Sequence, residues 1–242
     1  MNISGSVALV TGANRGIGRA FARALLAAGA RTVYAGARNP ATIVEPGLTP
    51  VRLDITDPGD VAAAAARCGD VDLLINNAGV AHFAPLLAAP TMDAARAEME
   101  TNYFGTLALC RAFAPILGAN GGGALVNVLS VVSWINVPLQ GSYCASKAAA
   151  HSLTAGIRCE LRAQGTLVVG VYAGYIDTDM TAGLDVAKTR PEDVAAATLA
   201  AVEAGQEEVL ADARSRTVKA TLASDPASLD RQMQAVWDSA RR

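Results

Sequence analysis

Short runs of apolar residues alternate along the chain with longer, alanine-rich stretches of helical character. Several of the short runs contain no alternating polar position, which is typical of strands that are buried on both faces. Strands that alternate with helices in this way predict a parallel sheet with helices on both faces. The pattern therefore predicts an α/β fold with a doubly wound parallel sheet of about seven strands.

The same pattern places the elements along the chain. Strands are predicted near residues 7–11, 32–35, 51–53, 73–76, 124–129, 167–172 and 208–210. Helices are predicted near residues 16–28, 58–67, 91–118, 142–163 and 191–204. No composition shift or internal repeat divides the chain, so residues 1–242 are predicted to form a single domain. A polar tail, residues 214–242, is expected to be helical in part.

Length, charge and cysteine spacing narrow the functional classes. The chain has 242 residues and a formal net charge of −2, which argues against nucleic acid as a partner. The first residues lack the features of a signal peptide, and no apolar run approaches the ~20 residues of a membrane helix. The four cysteines show no Cys-x-x-Cys spacing, and His82 and His151 have no cluster of metal ligands around them. We expect a cytoplasmic protein with reduced thiols and no metal.

Candidate chemistry lies in Ser130, Tyr143 and Lys147. Tyr143 and Lys147 are four residues apart in a predicted helix, so their side chains share one helix face. An ammonium beside a phenol is expected to lower the phenol pKa from its usual value of ~10. Such a phenol exchanges a proton with an alcohol or a carbonyl near neutral pH, and Ser130 ends the preceding strand, where it can bond the same oxygen. A Tyr-x-x-x-Lys pair on its own is also common as a surface contact.

A glycine-rich turn follows the first predicted strand and opens the first predicted helix. Glycines there allow a tight turn and the close approach of a pyrophosphate, and the helix N-terminus offers free N–H groups to the anion. The alternative is an ordinary glycine turn, but the position in the first strand-helix unit favours a dinucleotide and a Rossmann-type sheet. The expected cofactor-binding residues of the turn are Gly12, Asn14, Arg15, Gly16, Ile17 and Gly18.

Charge at the end of the second strand indicates which nicotinamide cofactor is preferred. An acidic residue there would bind a ribose 2′-hydroxyl and repel a 2′-phosphate. The chain has Arg38 at that place, and Arg15 lies in the glycine turn. Two guanidinium groups suit a phosphate, so NADP(H) is predicted, with NAD(H) as the alternative. Both arginines are alternatively solvated surface residues.

These residues together resemble the short-chain dehydrogenase/reductase family, from residue 7 to about residue 180. The resemblance rests on residues 11–18, 54–55, 76–79, 102, 130, 143–147 and 173–178. It implies that Tyr143 is the general acid and base, that Ser130 orients the substrate oxygen, and that Lys147 lowers the Tyr143 pKa and holds the nicotinamide ribose. It also implies that Asn102 anchors a water for proton supply. The remaining cofactor contacts that it implies are Asp54 and Ile55 at the adenine, Asn77, Ala78 and Gly79 at the adenosine, and Ile176 and Thr178 at the carboxamide.

Several of these residues have structural alternatives. Asp54 and Asn77 can be turn residues, Asn102 a polar helix residue, and Thr178 a helix N-cap. The chain also departs from the family pattern, since Ala173-Gly174 stands where Pro-Gly is usual, which puts the rigidity of that loop in doubt.

The substrate is expected between residues 131–140, residues 82–87 and a loop at about residues 175–190. Apolar side chains in these segments indicate a hydrophobic ketone or aldehyde, although core or subunit contacts are equally good interpretations. The predicted pocket residues are His82, Trp134, Leu139, Tyr175 and Met180.

The sequence thus predicts an NADPH-dependent carbonyl reductase or alcohol dehydrogenase, acting as a homodimer or homotetramer without nucleic acid or membrane partners. One alternative is an NAD-dependent alcohol or sterol dehydrogenase. Another is a non-catalytic dinucleotide-sensing protein, which would have no need of Ser130, Tyr143, Lys147 and Asn102 together. A nucleotide-sugar epimerase or dehydratase usually needs a larger C-terminal substrate region.

Overall fold

A computed structural model describes residues 1–240, so the last two residues of the expected tail lie outside the described residues. Within residues 1–240 the chain forms one parallel sheet of seven strands, in the order β3-β2-β1-β4-β5-β6-β7. The predicted doubly wound α/β fold is confirmed. The strands are β1 (Val7–Thr11), β2 (Thr32–Ala37), β3 (Thr49–Arg52), β4 (Leu73–Asn76), β5 (Ala124–Val128), β6 (Leu167–Tyr172) and β7 (Glu208–Leu210).

Eight α-helices of the described residues connect or follow these strands. They are α1 (Gly16–Ala27), α2 (Pro58–Arg67), α3 (Asp93–Met99), α4 (Thr106–Ala119), α5 (Gly141–Leu161), α6 (Pro191–Glu203), α7 (Ala213–Ser224) and α8 (Pro226–Ala240). None of these helices is long and apolar enough to cross a membrane. The expected partly helical tail is the α7–α8 pair as far as residue 240.

Two apolar layers hold the sheet between its helices. Phe21 and Leu25 of α1 pack with the β1 and β2 side chains on one face, and Leu109 and Phe113 of α4 pack with Leu9 and Leu74 on the other. Each fully buried side chain of this size contributes about 1.5–3 kcal/mol relative to exposure. Burial on both faces explains why the strands are continuous apolar runs in the sequence.

The strand order reverses direction at β1 and β4, which are neighbours in the sheet. In open α/β sheets such a switch point leaves a crevice at the carboxyl ends of the strands. Gly12 directly follows the carboxyl end of β1, and Asn77 directly follows that of β4. Ser130 lies two residues after the end of β5. The fold therefore brings the glycine turn and the candidate catalytic segment to one edge of the sheet.

The structure departs from the single long helix predicted over residues 91–118. The helix begins at Asp93, and a π-helical turn, Glu100–Gly105, separates α3 from α4. Gly105 lies so close to Ile55 that a Cβ atom would be 2.8 Å from the Ile55 side chain. Such π turns are frequent at functional sites, and this one contains Asn102.

The C-terminal helices are tied to the loop after β6 through Asp212. The Asp212 carboxylate accepts a hydrogen bond from the Ser215 amide at 2.7 Å, which caps α7, and another from the Gly174 amide at 2.5 Å. Gly174 belongs to the loop in which the usual proline is absent. The second contact fixes that loop, so its rigidity does not depend on proline.

Asp212→Ala is expected to lower the free energy of unfolding by about 2–3 kcal/mol, because it removes a helix cap and leaves the Gly174 amide without its acceptor. Urea unfolding followed by circular dichroism measures the change. Asp230→Ala, an exposed change in α8, is the matched control and should stay within about 0.5 kcal/mol of the unchanged protein. A loss at Asp212 no larger than at Asp230 would contradict this role.

Candidate active site

A cavity of about 800 Å³ lies at the carboxyl edge of the sheet. It is lined by both the glycine turn and the candidate catalytic segment. The predicted site residues that line it are Gly12, Asn14, Arg15, Gly16, Ile17, Arg38, Asp54, Ile55, Asn77, Ala78, Gly79, His82, Ser130, Tyr143, Lys147, Ile176, Thr178 and Met180. Gly18, Asn102, Trp134, Leu139 and Tyr175 are not among the lining residues.

The glycine turn depends on two glycines for different reasons. Gly12 has a φ of +62°, a left-handed conformation that favours glycine. Gly18 lies behind the turn, where a Cβ atom would be 2.2 Å from the Gly12 carbonyl oxygen. Gly18 therefore allows α1 to pack against the turn, and its role is structural rather than a direct lining of the cavity.

Thr11 and Asn77 fasten the glycine turn to the end of β4. The Thr11 hydroxyl accepts hydrogen bonds from the amides of Asn77 at 3.0 Å and Ala78 at 2.9 Å. The Asn77 side-chain amide donates in return to the Thr11 carbonyl at 2.9 Å. Asn77 therefore connects the end of β4 to the glycine turn. Thr11 belongs to the motif of residues 11–18, but the sequence did not indicate this joining role.

Ser130, Tyr143 and Lys147 come together in the cavity. The Lys147 Nζ atom donates to the Val128 carbonyl at 2.9 Å and lies 5.8 Å from the centre of the Tyr143 ring. The Ser130 hydroxyl donates to the Ala173 carbonyl at 3.2 Å and begins a short helical turn, Val131–Ser133. One helix and one strand end therefore present a phenol, an ammonium and a hydroxyl to the same space.

The electrostatics of this group differ from the sequence expectation. Burial raises the pKa of Tyr143 above its usual value, electrostatic interactions with Cys144 and Glu98 add to that rise, and the hydrogen bond with the Ser130 hydroxyl opposes it. Burial also lowers the pKa of Lys147 to about 8. Because loss of water contacts disfavours both charged forms, the expected lowering of the Tyr143 pKa by Lys147 is not seen. In this environment the phenol keeps its proton at neutral pH.

Asn102 lies behind the catalytic group and does not reach the cavity surface. Its side-chain amide donates to the Val80 carbonyl and to the Ser146 hydroxyl, both at 2.9 Å, and its oxygen accepts from the Val80 amide at 2.9 Å. Asn102 therefore holds the chain that follows Gly79 against α5. The Ser146 contact was not anticipated from the sequence.

The expected adenosine end of the cavity is rich in charge. The Asp54 carboxylate accepts from the Thr56 amide at 3.0 Å, so the turn alternative for Asp54 is realised. That hydrogen bond, with a smaller contribution from Arg38, lowers the pKa of Asp54. Arg38 is exposed on the cavity wall, and Arg15 forms an exposed ion pair with Asp179 at 3.3 Å. Exposed pairs of this kind contribute little to stability, so Arg15 can exchange partners at low cost.

The other end of the cavity is bounded by the segment after β6. Ile176 is buried and pairs with Thr189 in an isolated parallel bridge. Thr178 precedes a short helical turn, Asp179–Thr181, but its side chain makes no capping hydrogen bond. The helix-cap alternative for Thr178 is therefore not supported, and both residues border the cavity.

Three predicted pocket residues lie elsewhere. Trp134 stacks on Tyr172, with ring centres 4.1 Å apart, beneath the Lys219 ammonium. Tyr175 is covered by the Arg214 guanidinium at 4.9 Å, and Leu139 lies partly exposed on a short turn outside the cavity lining. Both cations belong to α7. The rings of Trp134 and Tyr175 pack against them instead of lining the cavity, although both residues are close in sequence to residues that do line it. Of the predicted pocket residues, His82 and Met180 line the cavity.

The acidic residue Glu98 was also missed by sequence reasoning. It is fully buried, and its Oε1 atom accepts from the His82 amide at 2.6 Å. An acid among alanines and other charged residues in a short helix gives no sign of burial. Among the described residues, no group of three or more His, Cys, Asp or Glu side chains could hold a metal ion.

Comparison with known proteins agrees with this geometry. The family model described as short chain dehydrogenase matches residues 6–189. A short chain dehydrogenase from Burkholderia cenocepacia J2315, solved in complex with NADP, is 45% identical, with a TM-score of 0.93 over 96% of this chain and 99% of that one. The chain therefore belongs to the short-chain dehydrogenase family.

Two curated relatives extend the comparison. The 3-oxoacyl-[acyl-carrier-protein] reductase FabG of Salmonella typhimurium is 33% identical over 94% of this chain and 93% of its own length. Dehydrogenase/reductase SDR family member 7B of Bos taurus is 35% identical over 74% of this chain. The match spans 60% of the bovine protein's length.

Lys147→Met is expected to stabilise the nucleotide-free protein at pH 7 by about 1–2 kcal/mol. The folded protein lowers the Lys147 pKa from 10.5 to about 8, so burial of the charged form opposes folding at pH 7. Loss of the donor to the Val128 carbonyl reduces the gain. Urea unfolding of nucleotide-free samples measures the difference.

The sign of this effect fixes its pH dependence. Between pH 8 and 10.5 the folded Lys147 releases its proton while the unfolded chain keeps it, so the unchanged protein gains stability and the advantage of the variant shrinks. Lys188→Met, outside the cavity lining, is the control. An advantage that stays constant from pH 7 to 10.5, or a loss of stability at pH 7, would contradict the assignment.

Proposed function

We propose that this protein is an NADPH-dependent carbonyl reductase that acts on a ketone or aldehyde and oxidises the corresponding secondary or primary alcohol in reverse. One observation carries the proposal. Ser130, Tyr143 and Lys147 line the same cavity as the glycine turn and Arg38. A single ligand in that cavity can therefore touch both the anion-binding end and the proton-donating end.

The residues present fit a dinucleotide. The glycine turn leads into the N-terminus of α1, where the first amides have no partners within the helix and favour an anion. Cβ atoms on Gly12 and Gly16 would lie 3.2 Å from Ala78 and from Thr178, so the turn fits closely between the neighbouring segments. Asp54, Ile55, Asn77 and Ala78 would hold the adenosine portion, and Ile176 and Thr178 the carboxamide.

The chain's own groups would act on the substrate oxygen. When bound, a reduced nicotinamide supplies a hydride to a carbonyl carbon. Tyr143 would donate its proton to the carbonyl oxygen, and Ser130, released from the Ala173 carbonyl, would orient that oxygen. Donors aimed at an oxygen that gains charge favour the transition state over the substrate. Lys147 would hold the ribose hydroxyls, and Asn102 would support proton supply from behind.

The cofactor preference rests on Arg38. The end of β2 carries no acidic residue, and Arg38 stands on the cavity wall with Arg15 nearby in the turn. The similar Burkholderia protein was solved with NADP. NAD-dependent alcohol or sterol dehydrogenase activity is the alternative, and a parallel assay with NADH discriminates the two. A non-catalytic dinucleotide sensor would bind nucleotide without turnover.

The substrate is proposed to be apolar. Met180 lines the cavity and is substantially exposed, and Phe83 and Leu86 are exposed in the segment that follows His82. The proposal includes a homodimer or homotetramer in the cytoplasm, as the family resemblance implies. Light scattering on the purified protein tests the oligomeric state.

Tyr143→Phe is expected to reduce turnover by at least ~10²–10³-fold, because the proton donor is lost, while the NADPH dissociation constant changes by less than ~3-fold. The assay follows the loss of NADPH absorbance with a panel of ketones, aldehydes and keto-esters. Tyr34→Phe removes a phenol from β2, outside the cavity lining, and should leave turnover unchanged. Unimpaired turnover in Tyr143→Phe would refute the proposed role.

Arg38→Ala is expected to raise the NADPH dissociation constant by about 10–100-fold and the NADH constant by less than ~3-fold, since only NADPH offers a phosphate to the guanidinium. Fluorescence titration with each nucleotide measures both constants. Arg19→Ala, which removes an exposed arginine from α1, is the matched control. Equal effects on both nucleotides would favour the NAD-dependent alternative.

A further inference from the structure

Glu98 is an unusual acid for its position. It lies on α3 with no exposed surface, among the largest fully buried side chains of the described residues. Its Oε1 atom accepts the His82 amide at 2.6 Å, and its Oε2 atom has no hydrogen-bond partner among those residues. Burying an acidic side chain with one oxygen unpaired costs free energy of folding.

Glu98 and its neighbour on the same helix face, Asn102, hold the backbone of residues 80–82. Glu98 and Asn102 are four residues apart, and they hold the backbone of His82 and Val80 respectively. Phe83, directly after His82, has a φ of +53°, the only left-handed non-glycine conformation among the described residues. Such a conformation persists only when its surroundings enforce it. The hydrogen bond that the His82 amide donates to Glu98 holds the residue before Phe83 and supplies that constraint.

We propose that Glu98 is a positioning residue, which fixes the segment of residues 80–83 through the His82 amide. Val80, Ala81 and His82 of that segment line the cavity. The proposal rests on the proposed function, since the segment would face the carbonyl substrate. A hydrogen-bond acceptor at position 98 is what the segment requires.

Glu98→Gln keeps an oxygen that can accept from the His82 amide, so the segment of residues 80–83 remains held. The KM values for substrate and NADPH should therefore stay within ~2-fold of those of the unchanged protein. Initial rates at pH 7 over a range of substrate and NADPH concentrations measure these values.

Glu98→Leu removes the acceptor of the His82 amide. The substrate KM should then rise by ~10-fold or more, with a smaller change in NADPH affinity, because the released segment faces the substrate rather than the adenosine end. Glu100→Gln, an exposed change two residues along, should match the unchanged protein in every measurement. Thermal unfolding identifies a Glu98→Leu protein that fails to fold, in which case Glu98→Met, which also lacks the acceptor, takes its place.

Turnover that survives in Tyr143→Phe would refute the proposed function itself. An inactive Tyr143→Phe together with a folded Glu98→Leu whose substrate KM is unchanged would refute the positioning role of Glu98. A Glu98→Gln protein whose substrate KM rises as much as that of Glu98→Leu would also refute it.

Discussion

Loss of water contacts around Tyr143 and Lys147 is the constraint on which the site depends. Both side chains project from α5 into a cavity at the carboxyl edge of the sheet, and burial disfavours the charged form of each. Burial therefore disfavours the phenolate of Tyr143, and the Lys147 ammonium binds its proton less strongly than it would in water. The chemistry of the pair follows from burial more than from their mutual attraction.

The rest of the fold maintains that buried arrangement. The switch in strand order at β1 and β4 leaves the crevice, and Thr11 and Asn77 fasten the glycine turn to its floor. Asn102 and Glu98 hold the segment across from α5. The C-terminal helices contribute from outside, through Asp212 on the Gly174 amide. Residues remote in sequence thus determine the surroundings of one phenol.

Much of this was predictable from the sequence, because strands buried on both faces are continuous apolar runs. The strand bounds at β1, β4, β6 and β7 agree with prediction, and the glycine turn and Tyr143 and Lys147 meet as expected. The π turn was not predictable, since it arises where Gly105 packs against Ile55. Trp134 and Tyr175 do not line the cavity, and their rings lie under cations of α7. Local sequence does not report such partners.

The sign of the Tyr143 pKa shift was also beyond the sequence. Four-residue spacing puts an ammonium near a phenol but says nothing of burial, which here outweighs the pairing. The most direct test is an NMR titration of the nucleotide-free protein with isotopically labelled tyrosine, with the Tyr143 signal assigned by its absence in the phenylalanine variant. We predict that this phenol titrates above the usual value of ~10. Titration at or below that value would contradict the account.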